Sequence, residues 1–212
     1  MGDILKNLLK FLCILSGIYL IYYDISKIDT ALNSSYPPEI ISSYFLPVGL
    51  IFGLFVLCDF FFKKLKKPLL VVLAVITGIH LCLKTADIVL NIIANTVINS
   101  TAIFNMITFI AQLFLLVSVF LFCFTDKKQI FKIFCVISYL ISVAVFAANF
   151  VYYFKNTSLK LSCLFNPKSQ CFFITNIIII LICYLFIFVY KLYIENPERE
   201  FDIKINKKAK KA

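Results

Sequence analysis

The sequence predicts an all-α fold, a polytopic membrane protein built as a bundle of six transmembrane helices with both termini in the cytoplasm. Of its 212 residues, 62% are hydrophobic and 15% are charged, a composition that an ordinary soluble domain does not have. Apolar segments of about 20 residues, long enough to cross about 30 Å of hydrocarbon, recur along the chain. They occupy most of it, so no separate soluble domain is expected.

Six apolar segments meet this length criterion. They run near residues 4–23, 43–62, 69–93, 103–124, 130–154 and 171–193. The predicted membrane domain is therefore residues 1–194, and residues 195–212 form a basic cytoplasmic tail that is predicted to be disordered. Lys6 and Lys10 precede the apolar core of the first segment, but no small-residue cleavage site follows this core, so we expect a retained signal anchor.

The distribution of basic residues predicts the orientation. Lysine and arginine favour the cytoplasmic side of short loops. If successive segments alternate in direction, 16 basic residues fall on the side that carries both termini and four fall on the other side. The net charge of +10 is then mostly an orientation signal plus a tail that would lie on anionic lipid. The lipid bilayer is the expected partner, and no nucleic-acid partner is predicted.

Three N-x-[ST] sequons, at Asn33, Asn99 and Asn156, lie in the three loops that charge assigns to the non-cytoplasmic side. This agreement predicts a glycoprotein of a eukaryotic endomembrane, the endoplasmic reticulum or a later secretory compartment. Chance is the competing explanation, because Asn and Ser collect in loops, and a bacterial plasma membrane is the alternative location. The last five residues, 208–212, resemble the K-x-K-x-x form of endoplasmic reticulum retrieval signals, although a basic lipid anchor explains them too.

The eight cysteines fall into two groups. Six lie in or at the ends of apolar segments, where a thiol behaves as a small hydrophobe. Cys163 and Cys171 share the last loop on the predicted oxidising side, which predicts a disulfide that closes this loop. The chain contains no zinc-type Cys/His spacing and no cofactor-binding fingerprint, so neither a metal nor a cofactor is predicted.

The third apolar segment carries a stripe of polar residues. At about 100° per residue, its members fall within about 80° of one another on a helix. They are Thr77, His80, Lys84, Asp87, Asn91 and Asn95. Ionisable groups in a membrane span are costly and usually face a bundle interior or a water-filled cavity, so this stripe is the candidate functional site. The alternative is that Lys84 extends outward to the interface and Asp87 pairs with it.

Polar residues on other segments also lie in, or reach, the half of the bundle opposite the predicted cytoplasmic side. Together they predict a polar pocket that faces the non-cytoplasmic side. The predicted ligand-binding residues are His80, Lys84, Asp87, Asn91, Gln112 and Asn149. Lys84 would attract an anion and Asp87 would hold Lys84 in place. His80 would form the floor, while Gln112 and Asn149 would donate or accept hydrogen bonds. Interhelical hydrogen bonding alone could produce the same stripes.

The second segment contains two features of helix packing. Gly49 and Gly53 form a G-x-x-x-G pattern, which lets two helix backbones approach closely in lipid and predicts a packing seam, open to a partner membrane protein. Asp59 stands four residues before Lys63 near the cytoplasmic end, and this spacing predicts an ion pair along one helix face.

Three functions remain open at this point. The first is binding or transport of a small polar or anionic solute in the predicted pocket. The alternative is a non-enzymatic membrane scaffold or assembly partner with glycosylated loops. The third is a membrane-embedded enzyme that uses His80. The sequence has no nucleophile elbow, phosphate loop, dinucleotide fingerprint or H-E-x-x-H pair, so no catalytic residue is predicted and an enzyme is the least expected of the three.

Overall fold

A computed structural model describes residues 3–32, 48–94, 100–126, 128–157, 160–166 and 172–195, with the backbone alone for some of them. This part of the chain is all-helical, as predicted. Its six α-helices are α1 (Asp3–Leu32), α2 (Val48–Phe61), α3 (Lys66–Ala94), α4 (Ser100–Phe122), α5 (Gln129–Thr157) and α6 (Phe172–Val189). A π-helical segment, Tyr190–Ile194, continues α6, and short 3-10 helices span Lys63–Leu65 and Leu161–Phe165.

Four stretches of these helices are long and apolar enough to cross a membrane. They are Asp3–Ser26, Lys66–Leu83, Gln129–Asn156 and Ile174–Ile194. Val48–Phe61 and Met106–Phe122 are shorter apolar helices. Large aliphatic or aromatic side chains are exposed on all six helices, a surface that suits lipid and that a soluble monomer rarely presents. These features are those of a membrane-embedded protein, while six spans and the sidedness stay predictions.

The first helix is longer than its apolar segment. It continues nine residues beyond residue 23, to Leu32. Hydropathy marks where a lipid-compatible surface ends, whereas a helix continues as long as its residues tolerate it. The stretch DISKIDTAL contains neither glycine nor proline, so nothing in it stops the helix.

From α1 to α5, each helix packs against the next one along the chain, and α6 packs against α1. Tyr139 connects α5 to α6, because its hydroxyl donates a hydrogen bond of 2.6 Å to the carbonyl of Leu181. The described helices pack together into one bundle. We call the end of the bundle that carries Lys10, Lys66 and Lys191 the basic end.

Helices α1 and α2 meet at the glycine pattern. Gly49 and Gly53 both face α1, where Asp24 and Gly17 respectively lie against them. The predicted packing seam is confirmed, and its occupant is a helix of the same chain. A partner helix at this seam would have to displace α1.

Aromatic rings fill the bundle between α2, α4 and α6. Phe52, which is fully buried, stacks on Tyr184 with ring centroids 5.3 Å apart and meets the edge of Phe122 at the same distance. Phe188 packs against Phe52 at 6.0 Å and against Tyr139 at 5.6 Å. Such pairs add to the burial of apolar surface, so this layer is a closed part of the interior.

Candidate functional site

Thr77 and His80 lie one turn apart on α3 and are 0% and 3% exposed. Leu73, one turn earlier on the same face, is fully buried as well. The first two members of the predicted polar stripe, Thr77 and His80, therefore face the interior of the bundle. We call these two side chains the Thr77–His80 face.

The hydroxyl of Thr77 is buried and has no hydrogen-bond partner. Other helical hydroxyls in this chain behave differently: Thr85 donates to the carbonyl of Leu81 at 2.8 Å, and Thr108 donates to that of Phe104 at 2.9 Å. A buried hydroxyl without a partner costs about 1–3 kcal/mol. A small polar molecule beside Thr77 would recover this free energy.

The outer members of the stripe lie on the same helix. Helix α3 continues through Lys84, Asp87 and Asn91 to Ala94, so their positions follow the face of His80 at helical spacing. The structure describes only the backbone at these three positions, and their roles as ligands stay predictions.

Asn149 is fully buried and bonds to α4. Its Nδ2 atom donates to the hydroxyl of Thr108 at 2.6 Å and to the carbonyl of Phe104 at 3.3 Å, while its Oδ1 atom has no partner. At Asn149 the polar face of α5 thus makes hydrogen bonds between helices, which was the alternative to a polar pocket in the sequence analysis. Gln112, on α4, is half-buried.

Ser142 makes the same kind of contact, because its hydroxyl donates to the carbonyl of Ala111 on α4 at 2.8 Å. Residues on α5 therefore bind α4 at two levels. Hydrogen bonds of this kind contribute about 0.6–2 kcal/mol each in a membrane.

A second polar cluster, which the sequence did not predict, lies at the basic end. Lys191 is only 5% exposed and forms ion pairs with Asp59 and with Glu195, the latter at 2.6 Å. The other carboxylate oxygen of Asp59 is 3.2 Å from Nζ of Lys66. The side chain of Lys63, the predicted partner of Asp59, is outside the described set. We call these four charged residues the ion cluster.

Aromatic rings and a small pocket border the ion cluster. Nζ of Lys191 lies 4.3 Å from the ring centroid of Phe60, and Nζ of Lys10 lies 5.5 Å from the same centroid. Such contacts are worth about 2 kcal/mol when desolvated. The pocket has a volume of about 110 Å³. It is lined by Phe55, Lys66, Leu70, Phe122, Thr125, Asp126, Lys191, Leu192 and Glu195.

One sequence signal could have indicated this cluster. Lys191 interrupts an apolar run, FVYKLYI, and stands four residues before Glu195. We counted it among the basic residues that mark the cytoplasmic side, which hid its burial.

Two larger grooves on α3 are apolar and open. One, of about 570 Å³, includes Ala74, Gly78 and Phe120, and the other, of about 650 Å³, includes Leu81 and Val89. Their lining suits lipid chains better than a polar solute. Among the described residues, no group of three or more His, Cys, Asp or Glu could hold a metal ion.

The modification sites are described only in part. Asn156 is exposed in the last turn of α5, where its Nδ2 atom donates to the carbonyl of Tyr152 at 2.8 Å. Cys163 is half-buried in the 3-10 helix Leu161–Phe165. Asn33, Asn99 and Cys171 lie outside the described residues, so glycosylation and the Cys163–Cys171 disulfide stay predictions.

No protein-family model, curated protein or solved structure matches this chain significantly.

Proposed function

We propose that the chain is a six-span membrane protein that binds or transports a small polar or anionic solute at the Thr77–His80 face. One observation carries this proposal: a threonine hydroxyl without a hydrogen-bond partner lies one helical turn from a buried histidine on the face of α3 that points into the bundle. Ionisable groups in a membrane interior are costly in free energy, and they usually mark a functional site. A guest that accepts or donates a hydrogen bond would satisfy Thr77.

Charge supports an anionic group on the solute. Lys84 and Asp87 follow His80 along α3 at one and two turns. Lys84 would attract the anion and Asp87 would hold the ammonium group in place. Asn91, Gln112 and Asn149 remain candidates for further hydrogen bonds to the solute, Asn149 through its unbonded Oδ1 atom.

The solute would enter from the non-cytoplasmic side. Phe52, Phe122 and Tyr184 fill the interior, and Phe122 also borders the pocket at the basic end. This aromatic layer supports an approach from the opposite end. In this proposal the basic end is cytoplasmic, both termini lie there, and the sequon loops face the lumen of a eukaryotic secretory compartment.

The first test is access of water to the site. In a chain otherwise free of cysteine, single variants His80→Cys, Thr77→Cys and Asp87→Cys are treated with a membrane-impermeant thiol reagent in sealed vesicles. We expect labelling from the non-cytoplasmic side. Ile79→Cys is the matched control, because Ile79 is exposed on the outside of α3 and faces lipid.

A positive control makes a negative result meaningful. Lys160→Cys, at an exposed position before the second 3-10 helix, should react from the same side. If this variant reacts while all three site variants remain unlabelled, the Thr77–His80 face is dry and the solute proposal is abandoned.

The second candidate function is a membrane scaffold that assembles with other proteins. It is favoured by α5, whose Tyr139, Ser142 and Asn149 all donate hydrogen bonds to neighbouring helices. Polar stripes of this kind hold a bundle together without a solute. This candidate predicts that His80→Ala retains activity in cells, whereas replacing residues 33–42 or 158–170 with unrelated loops abolishes it.

A further inference from the structure

Lys191 connects the last helix to the α2–α3 hairpin. Its ammonium group is buried between Asp59, at the end of α2, and Glu195, just after the π-helical segment. Lys66, in the first turn of α3, binds the same aspartate. A single buried cation therefore joins elements that are 132 residues apart in sequence.

The backbone that carries Lys191 is itself unusual. Tyr190–Ile194 is π-helical, and the N–H of Glu195 donates to the carbonyl of Tyr190, five residues earlier, at 2.9 Å. π-Helical turns are rare and occur frequently at functional sites. Converting this turn to an α-helix would rotate the residues after it, Glu195 among them, relative to α6 and would disturb the ion pair of Glu195 with Lys191.

The ion cluster combines a buried ion pair with two half-exposed charged partners. A buried ion pair gains little net stability, because removing two charges from water offsets much of their attraction. The outer members are already partly in water, with side-chain exposures of 39% for Lys66 and 38% for Glu195. The adjacent pocket of about 110 Å³ has polar walls, so water could enter it and solvate a separated pair.

We propose that Asp59 and Lys191 form an ion lock that keeps the basic end closed, and that breaking it lets the end of α6 move away from α2 and α3. Closure covers Cys13 of α1, which is fully buried close to the ion cluster, where α1 contacts the π-helical segment. The lock goes beyond the proposed solute site. Its test measures access at the basic end and does not depend on whether a solute binds at Thr77.

The test uses native cysteines as reporters in the full-length chain, purified in detergent micelles. A small permeant maleimide is added, and the alkylation rate of each cysteine is followed by peptide mass spectrometry. In Lys191→Met, Asp59 keeps only its half-exposed partner Lys66, and in Asp59→Asn, Lys191 keeps only its half-exposed partner Glu195. We expect Cys13 to react at least about tenfold faster in either variant than in the parent. In the double variant neither charge remains, and the rate should return to within about threefold of the parent.

Two controls separate release of the lock from unfolding. Lys64→Met removes an exposed lysine from the 3-10 helix Lys63–Leu65, which connects α2 to α3, and should leave the alkylation rate of Cys13 unchanged. Cys135 is fully buried between α4 and α5, where its thiol contacts the carbonyl of Ser118, so it reports on the rest of the bundle. The ion lock predicts that the alkylation rate of Cys13 rises while that of Cys135 stays low.

Two outcomes would overturn the lock. In the first, both single variants leave the rate at Cys13 within about twofold of the parent. In the second, alkylation of Cys13 and of Cys135 accelerates together, which would show that the Asp59–Lys191 pair only stabilises the fold as a whole.

Glu195→Gln is the milder variant if the others fail to fold. It removes the half-exposed partner of Lys191 and should accelerate Cys13 by about threefold, whereas an unchanged rate would contradict the lock.

Discussion

Gly53 of α2 lies against the backbone of Gly17 on α1, so closely that a Cβ atom added to Gly53 would stand 2.5 Å from the carbonyl oxygen of Gly17. It would also stand 2.7 Å from Cγ1 of Ile21. The carbonyl belongs to a helix backbone and cannot rotate away. The two helices could accommodate a larger residue only by separating.

We therefore expect Gly53→Ala to destabilise the protein by about 1–3 kcal/mol, the usual cost of overpacking. Gly78→Ala is the matched control, because its Cβ atom would lie 3.7 Å from the ring of Phe120, an ordinary contact. Alanine also favours a helix by about 1 kcal/mol over glycine, so Gly78→Ala should be neutral or stabilising. Thermal unfolding in detergent measures both variants. If both variants unfolded at the same midpoint temperature, the contact between α1 and α2 would be loose enough to accept a Cβ atom at Gly53.

Asp24 caps the start of α2. Its Oδ2 atom accepts a hydrogen bond of 2.8 Å from the N–H of Leu50, in the first turn of that helix. We expect Asp24→Ala to lower the free energy of unfolding by about 0.5–2 kcal/mol, because the first turn loses its acceptor. Asp24→Asn keeps an acceptor oxygen and should cost less. The cap would be refuted if both variants unfolded at the parent temperature.

The bond between Asn149 and Thr108 can be measured with a double-mutant cycle. Asn149→Ala and Thr108→Val each remove one partner, and we expect a coupling free energy of about 0.6–2 kcal/mol. Thr85→Val is the control partner, since its hydroxyl bonds within its own helix. That substitution should be additive with Asn149→Ala. A coupling of zero for Asn149 and Thr108 would contradict the interhelical bond.

Thr77→Val removes a hydroxyl at nearly constant shape. Because this hydroxyl is buried without a partner, we expect the empty protein to be unchanged or more stable, by up to about 1–3 kcal/mol. Thr108→Val removes a bonded hydroxyl and should be destabilising. Equilibrium unfolding compares the two variants. A loss of stability in Thr77→Val equal to that in Thr108→Val would mean that Thr77 is bonded within the protein.

Much of the architecture follows from local sequence. Long apolar segments predict the helices, and the spacing of Gly49 and Gly53 predicts the close contact between two of them, because both depend on neighbours along one helix. Burial of His80 was predictable for the same reason: a histidine on a polar face of an apolar helix is expected to turn inward.

Contacts between distant segments were not predictable in this way. Spacing along one helix suggested Lys63 as the partner of Asp59, whereas the described partners of the carboxylate are Lys66 and Lys191, which come from other elements. The apolar run around Lys191 is a sign of burial, but nothing in the sequence shows that Asp59 is its partner. The cap formed by Asp24 was missed for the same reason, since its acceptor role depends on a helix that begins 24 residues later.

The pairing of Asp59 with Lys191 also bears on how the chain is made. Asp59 leaves the ribosome long before Lys191, so throughout synthesis of α3, α4 and α5 the growing chain carries this carboxylate without its buried counter-charge. Only the last helix brings the missing ammonium group. A chain interrupted before α6 would carry this carboxylate at the basic end without the cation that accompanies it in the complete bundle.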